Sequence, residues 1–184
     1  MKGFIILCSI LLAFLSEDVM AQPEVKVAFP QGRLGFSSQQ GYDLVSFPGC
    51  EFTSKVGEPK LPVKQLSFVL PPYQMVKGII INSKHQVELK GKFSILSVQP
   101  PITVGPQSQS QEFVLPKPEV YNSHNLYPLE AVRITSDGYS FGYHVVSVEV
   151  YPLQYIPGEK KLFLNERTQQ SAFSSQQKRW TTGS

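Results

Sequence analysis

Gly57-Glu58-Pro59-Lys60-Leu61-Pro62-Val63, continued by Lys64-Gln65-Leu66-Ser67-Phe68-Val69-Leu70 and closed by Pro71-Pro72, decides how this chain is read. Prolines at 59 and 62 fix two φ angles and remove two backbone donors, so no helix forms there. The residues ahead of them are driven toward extended geometry. The run from Lys64 to Leu70 has strand length, and its double-proline end is one that no ladder continues through. A stiff extended lead-in, a strand and a stop describe a sheet edge or the first strand into a sheet.

The rest of the chain agrees with a sheet. No window shows a sustained 3.6-residue apolar period with caps. Short runs recur instead, each ended by a turn signal. Glu24–Phe29 runs to Pro30, and Tyr42–Phe47 runs to Pro48-Gly49. Met75–Ile81 and His85–Leu89 are separated by Asn82-Ser83, and Phe93–Val98 runs into Pro100-Pro101. Glu130–Thr135 is followed by an Asp137-Gly138 turn. In Gly142–Tyr151, the longest alternating run, His144, Val146, Val148 and Val150 share one face. Leu162-Phe163-Leu164 follows a turn at Gly158–Lys161. The expected fold class is all-β, a β-sandwich or barrel of antiparallel strands. Gln99–Gln111 carries three prolines, no charge and alternating Gln and Ser; it reads as a long exposed loop, either functional or a plain connector.

Lys2, an apolar run from Phe4 to Leu15 and the small-residue site Val19-Met20-Ala21 predict a signal peptide over 1–21, cut between Ala21 and Gln22. Twelve apolar residues are too few to span a bilayer core of roughly 30 Å. Removing Lys2, Glu17 and Asp18 takes the chain from 17 basic and 14 acidic residues to 16 and 12, a net of +4. The lysines are scattered, which excludes a nucleic-acid-binding stripe. Only Cys50 remains, so no internal disulfide forms and burial and ladder hydrogen bonds must hold the fold. The organisation expected is N-terminal strands over 22–55, a core over 56–167 and a polar linker or tail over 168–184.

In order and spacing, Gly57, Pro59, Leu61 and Pro62 with Pro71-Pro72, then Tyr121-Asn122 and Leu126-Tyr127-Pro128, then Gly142 with Pro152-Leu153-Gln154-Tyr155-Ile156-Pro157, resemble the propeptide of gingipain-type cysteine peptidases. The resemblance spans roughly Val56 to Glu166. Phe141 stands where that family usually has Arg, and Ile156 where it usually has Asn. The resemblance implies an immunoglobulin-like sandwich at the front of a Bacteroidetes-type secreted precursor. There it would assist folding and keep the downstream peptidase latent. It also implies one partner, the cognate peptidase domain in cis.

The residues of this segment carry no catalysis of their own. A cysteine nucleophile needs a base beside it, and Cys50 has no His near it in sequence, with His85, His124 and His144 dispersed. The same dispersion offers no metal-ligand spacing, and no cofactor is expected. Gingipain-type propeptides are thought to place a basic side chain in the peptidase's specificity pocket. The matching region, Val98–Glu112, holds neither Arg nor Lys, which leaves steric blockade or an uncharged preference in the enzyme. Lys90, Lys92 and Lys117 lie nearby but read first as surface lysines. Candidate processing positions are Arg167 and Lys178-Arg179. The rival reading is a stand-alone secreted sandwich that binds carbohydrate or a cell-surface partner through exposed aromatics.

Overall fold

The structure, a computed structural model, describes residues 24–70, 76–101 and 112–174. Ten strands and one short helix form there: β1 (Glu24–Ala28), β2 (Gly35–Gln39), β3 (Tyr42–Ser46), β4 (Glu51–Phe52), β5 (Pro62–Leu70), β6 (Val76–Glu88), α1 (Pro118–Tyr121), β7 (Val132–Ser140), β8 (Tyr143–Val150), β9 (Leu153–Ile156) and β10 (Lys161–Ser174). The fold is an all-β antiparallel sandwich. One sheet has the order β4-β5-β8-β7. In the other, β10 is central, paired with β6 along one edge and with β9 and then β1 along the other. A β2–β3 hairpin stands beside them.

The alternation expected in β8 is present. His144, Val146, Val148 and Val150 are buried and the residues between them are partly open. Leu66, Phe68 and Leu70 of β5 turn inward beside them. They pack against Leu162 and Leu164 of β10 and Leu153 and Tyr155 of β9, with Phe29, Val45, Phe47, Leu61 and Ile95 completing one core. Each of these large apolar side chains contributes about 1.5–3 kcal/mol when fully buried.

Four local expectations are corrected. Asn82-Ser83 is not a turn, because β6 runs unbroken from Val76 to Glu88. Its partner β10 steps from Ser83 to Ile81 between Gln169 and Gln170, so Asn82 is absorbed as a bulge. Asp137-Gly138 is not a turn either. β7 continues to Ser140, and the chain reverses at Phe141 and Gly142, both at positive φ (+50° and +83°). The extra residue Thr135 in the β7–β8 register keeps the apolar face of β8 against the core. Phe93–Val98 is a strap rather than a strand, joined to its neighbours at single bridges, Asp43 with Ile95 and Pro59 with Ser97. Pro59 has no N–H to extend that pairing. Finally, β10 reaches Ser174, into the stretch expected to be a linker from 168. Flanking by β1 and β6 satisfies its backbone on both sides, and that pairing does not depend on apolar side chains.

Ala21, Gln22, Pro71, Pro72, Lys178 and Arg179 lie outside the described residues, as does most of the expected loop (102–111). Among the described residues no helix is long and apolar enough to cross a membrane.

Candidate functional site

The motif that opened the reading builds a platform under the ends of the 99–111 segment. Gly57 sits at φ +82°, where an added Cβ would meet the Lys117 side chain at 2.9 Å. Its N–H donates to the Val98 carbonyl and its own carbonyl accepts from the Lys117 N–H, both at 2.9 Å. Thr53 clamps the two prolines: its hydroxyl donates to the Pro59 carbonyl at 2.8 Å and accepts from the Leu61 N–H at 3.1 Å. Lys60 N–H donates to Leu96 and Val98 N–H to Glu58, which ties the strap to the motif. On that platform Gln99 pinches the segment closed. Its Nε2 donates to the Val114 carbonyl at 2.9 Å and its Oε1 accepts from the Val114 N–H at 2.8 Å. The Ser97 hydroxyl donates to the same carbonyl at 2.9 Å.

The downstream motifs support the platform from below. Tyr127 and Tyr155 exchange both backbone hydrogen bonds, and the Tyr127–Pro128 peptide is cis. The Tyr127 hydroxyl donates to Glu58 Oε2 at 2.8 Å, so the second short motif holds the first. Glu58 also faces Lys117 Nζ at 3.7 Å. The buried Gln154 donates to the carbonyls of Pro128 and Leu129 and accepts from Gln86 and Asn165. Asn165 is fully buried and donates to the Tyr151 carbonyl at 2.9 Å. Tyr155 and Tyr121 each donate a hydroxyl to the strap, at Phe93 and Ile95. Pro152 accepts from the Asn165 N–H, and Pro157 starts a single 3-10 turn.

Thus Gly57, Pro59, Leu61, Pro62, Tyr127, Pro128, Gln154 and Tyr155 are brought into one hydrogen-bonded assembly. Gly142 is not among them, since it caps the far hairpin. Arg167 lies in β10, paired with Ala28 on one side and His85 on the other, so a protease cannot thread it while the sheet is closed. Gln86, Asn165, Glu58 and Thr53 were missed as partners. Asn165, following Leu162-Phe163-Leu164 in a strand that buries two of those residues, was the one available signal. The tyrosines that a sugar-binding face would need are largely engaged elsewhere, because Tyr121, Tyr127, Tyr151 and Tyr155 all hold internal hydrogen bonds.

Electrostatics agree with a scaffold. Burial pushes the Cys50 thiol up, with Lys64 pulling weakly the other way, so it is held protonated rather than made nucleophilic. The histidines face carboxylates, His85 with Glu166, His124 with Glu159 and His144 with Asp137. Among the described residues no cluster of His, Cys, Asp and Glu could hold a metal ion. Tyr121 is pushed well above its usual range of about 10 by burial. Burial does the same to Tyr127 and Tyr151, helped by their hydrogen bonds to Glu58 and Glu149. A raised folded-state value means full stability below pH ~10, lost as pH climbs through the range where only unfolded tyrosines ionise. Tyrosinate absorbance should therefore rise in two phases, the second coinciding with loss of the β-sheet circular dichroism signal. A single smooth titration of all tyrosines with the fold intact would refute this arrangement.

The family model for Propeptide_C25 matches residues 12–183. The chain belongs to that family. As a propeptide it is similar in fold to two solved structures. One is the complex of the Porphyromonas gingivalis RgpB pro- and mature domains (18% identity, TM-score 0.68, covering 87% of this chain and 85% of that one). The other is a structure described as giving insight into the zymogenic latency of gingipain K from Porphyromonas gingivalis (18% identity, TM-score 0.66, covering 85% and 88%). No curated protein matches the propeptide in sequence.

Proposed function

We propose that this chain is the propeptide of a secreted gingipain-like cysteine endopeptidase precursor, and that it assists folding of the peptidase domain and keeps it latent by covering its cleft. The supporting observation is the family match over 12–183 together with a rigid base that holds both ends of one uncharged segment. That segment supplies no Arg or Lys between Val98 and Glu112, so blockade comes from uncharged chain laid across the cleft rather than from a basic side chain filling a pocket. Secretion follows removal of residues 1–21 at Ala21–Gln22. Maturation cuts at Lys178-Arg179, since Arg167 is paired on both sides within β10.

The experiment is inhibition in trans. Added to the separately prepared peptidase domain, the propeptide is expected to slow peptide hydrolysis and to raise the yield of active enzyme on refolding. Neither binding nor slowing at micromolar propeptide would end this proposal.

A further inference from the structure

The β7–β8 hairpin ends in three aromatic side chains that the core does not use. Tyr139 is 67% exposed, Phe141 99% and Tyr143 63%, and Val69 at the neighbouring end of β5 is 63% exposed. The ladders place Tyr143 and Val69 together on the outer face of the sheet, since Val69 is opposite Val145 and Tyr143 precedes it by two on β8, while Tyr139, opposite His144, lies on the inner face. Phe141 is the odd one. A two-residue reversal with both central residues at positive φ favours Asn-Gly or Asp-Gly, and a bulky residue there is uncommon. Neither turn geometry nor burial accounts for a phenylalanine at φ +50°. The inner face of the hairpin is held in shape. Tyr139 stacks on the buried His144 ring at 4.8 Å and 16°, and His144 Nε2 contacts Asp137.

The position of the chain's exit indicates what covers this patch. β5 ends at Leu70, opposite His144 in the same hairpin. β6 begins at Val76, paired with Ser174, the last residue of β10. Six residue steps separate Leu70 from Val76, so these two ends lie within about 20 Å of each other. Ser174, the last residue of β10, therefore lies on the side of the sandwich where the hairpin ends. A domain tethered there meets the hairpin before any other exposed apolar surface at the opposite end. Resting on the propeptide reading above, we propose that Phe141, Tyr143 and Val69 form a docking foothold for the peptidase domain, seated in an apolar depression on that partner. Rigid aromatics in such positions dominate interface energies. β8 runs about 23 Å from the hairpin to Val150, which faces Lys64 at the start of β5, and the lead-in to β5 bridges the strap at Ser97, two residues before Gln99. The hairpin thus sets affinity while the distant segment performs the blockade.

The test compares the full chain with Phe141→Asp and Tyr143→Ser variants for inhibition of, and calorimetric binding to, the separately prepared peptidase domain. Leu129→Ser, an exposed apolar position away from the hairpin, is the control. Expected are unchanged circular dichroism and unfolding midpoints, tenfold or greater loss of affinity for each hairpin variant, complete inhibition once they saturate the enzyme, and no change for Leu129→Ser. Wild-type affinity in both hairpin variants, or an equal loss in Leu129→Ser, would overturn the foothold while leaving the propeptide reading standing. If the wild-type chain itself fails to bind, the propeptide reading falls and takes the foothold with it. Sedimentation that shows a dimer abolished by Phe141→Asp would also overturn it, assigning the patch to a second copy of this chain.

Discussion

Gln154→Leu is expected to lower the unfolding midpoint by about 9 °C. The side chain is 1% exposed and joins four partners, the Pro128 and Leu129 carbonyls and the Gln86 and Asn165 side chains. Leucine keeps most of the volume but takes the acceptor from the fully buried Asn165 amide and the donor from two part-buried carbonyls. Each unsatisfied buried group costs about 1–3 kcal/mol, so a total of ~3 kcal/mol follows. For a domain of this size each kcal/mol moves the midpoint by roughly 2–4 °C. A thermal scan by circular dichroism would decide it, and a fall smaller than about 3 °C would show that the network is dispensable. The substitution should also loosen Tyr127–Pro128, and hydrogen exchange at the Tyr127 and Tyr155 amides would report that opening.

Leu61→Ala should cost a similar amount for a different reason. Leu61 is fully buried between Pro59 and Pro62, and both its backbone groups are bonded to Thr53. The prolines and the Thr53 clamp prevent the backbone from collapsing into the space left behind. Large-to-small changes at sites that cannot relax cost about 3–5 kcal/mol, a midpoint shift of ~10 °C or more. Denaturant unfolding would measure it, with the midpoint moving and the slope constant. A loss under about 1 kcal/mol would mean that the platform is more compliant than its hydrogen bonds imply.

Much of this fold was legible because period-2 patterning survives wherever one strand face is buried. β5 was legible as a strand and β8 as a strand with one apolar face, since His144, Val146, Val148 and Val150 alternate with residues that face the other way. The ordered short motifs also carried the family and, with it, the sandwich. Turns were read less well. Asn82-Ser83 and Asp137-Gly138 carry ordinary turn chemistry, yet both are drawn into strands, because one long partner, β10 for the first and β8 for the second, offers more hydrogen bonds than a reversal would. The polar end of β10 was misread for the same reason: a strand paired on both edges needs no apolar pattern.

By itself the sequence determined that Gly57–Pro62 is extended and rigid, because proline's covalent ring imposes that conformation on any fold. It determined the lack of a basic side chain between Val98 and Glu112, a matter of composition. Only the tertiary structure decided what the stiffness serves. Glu58 meets Tyr127 across 69 positions and Gln154 meets Gln86 across 68, and no local preference encodes such pairings. They arise when two sheets close on one core and every polar group carried inside must find a partner there. The same closure brings the end of β10 to the side of the molecule where the β7–β8 hairpin displays Phe141.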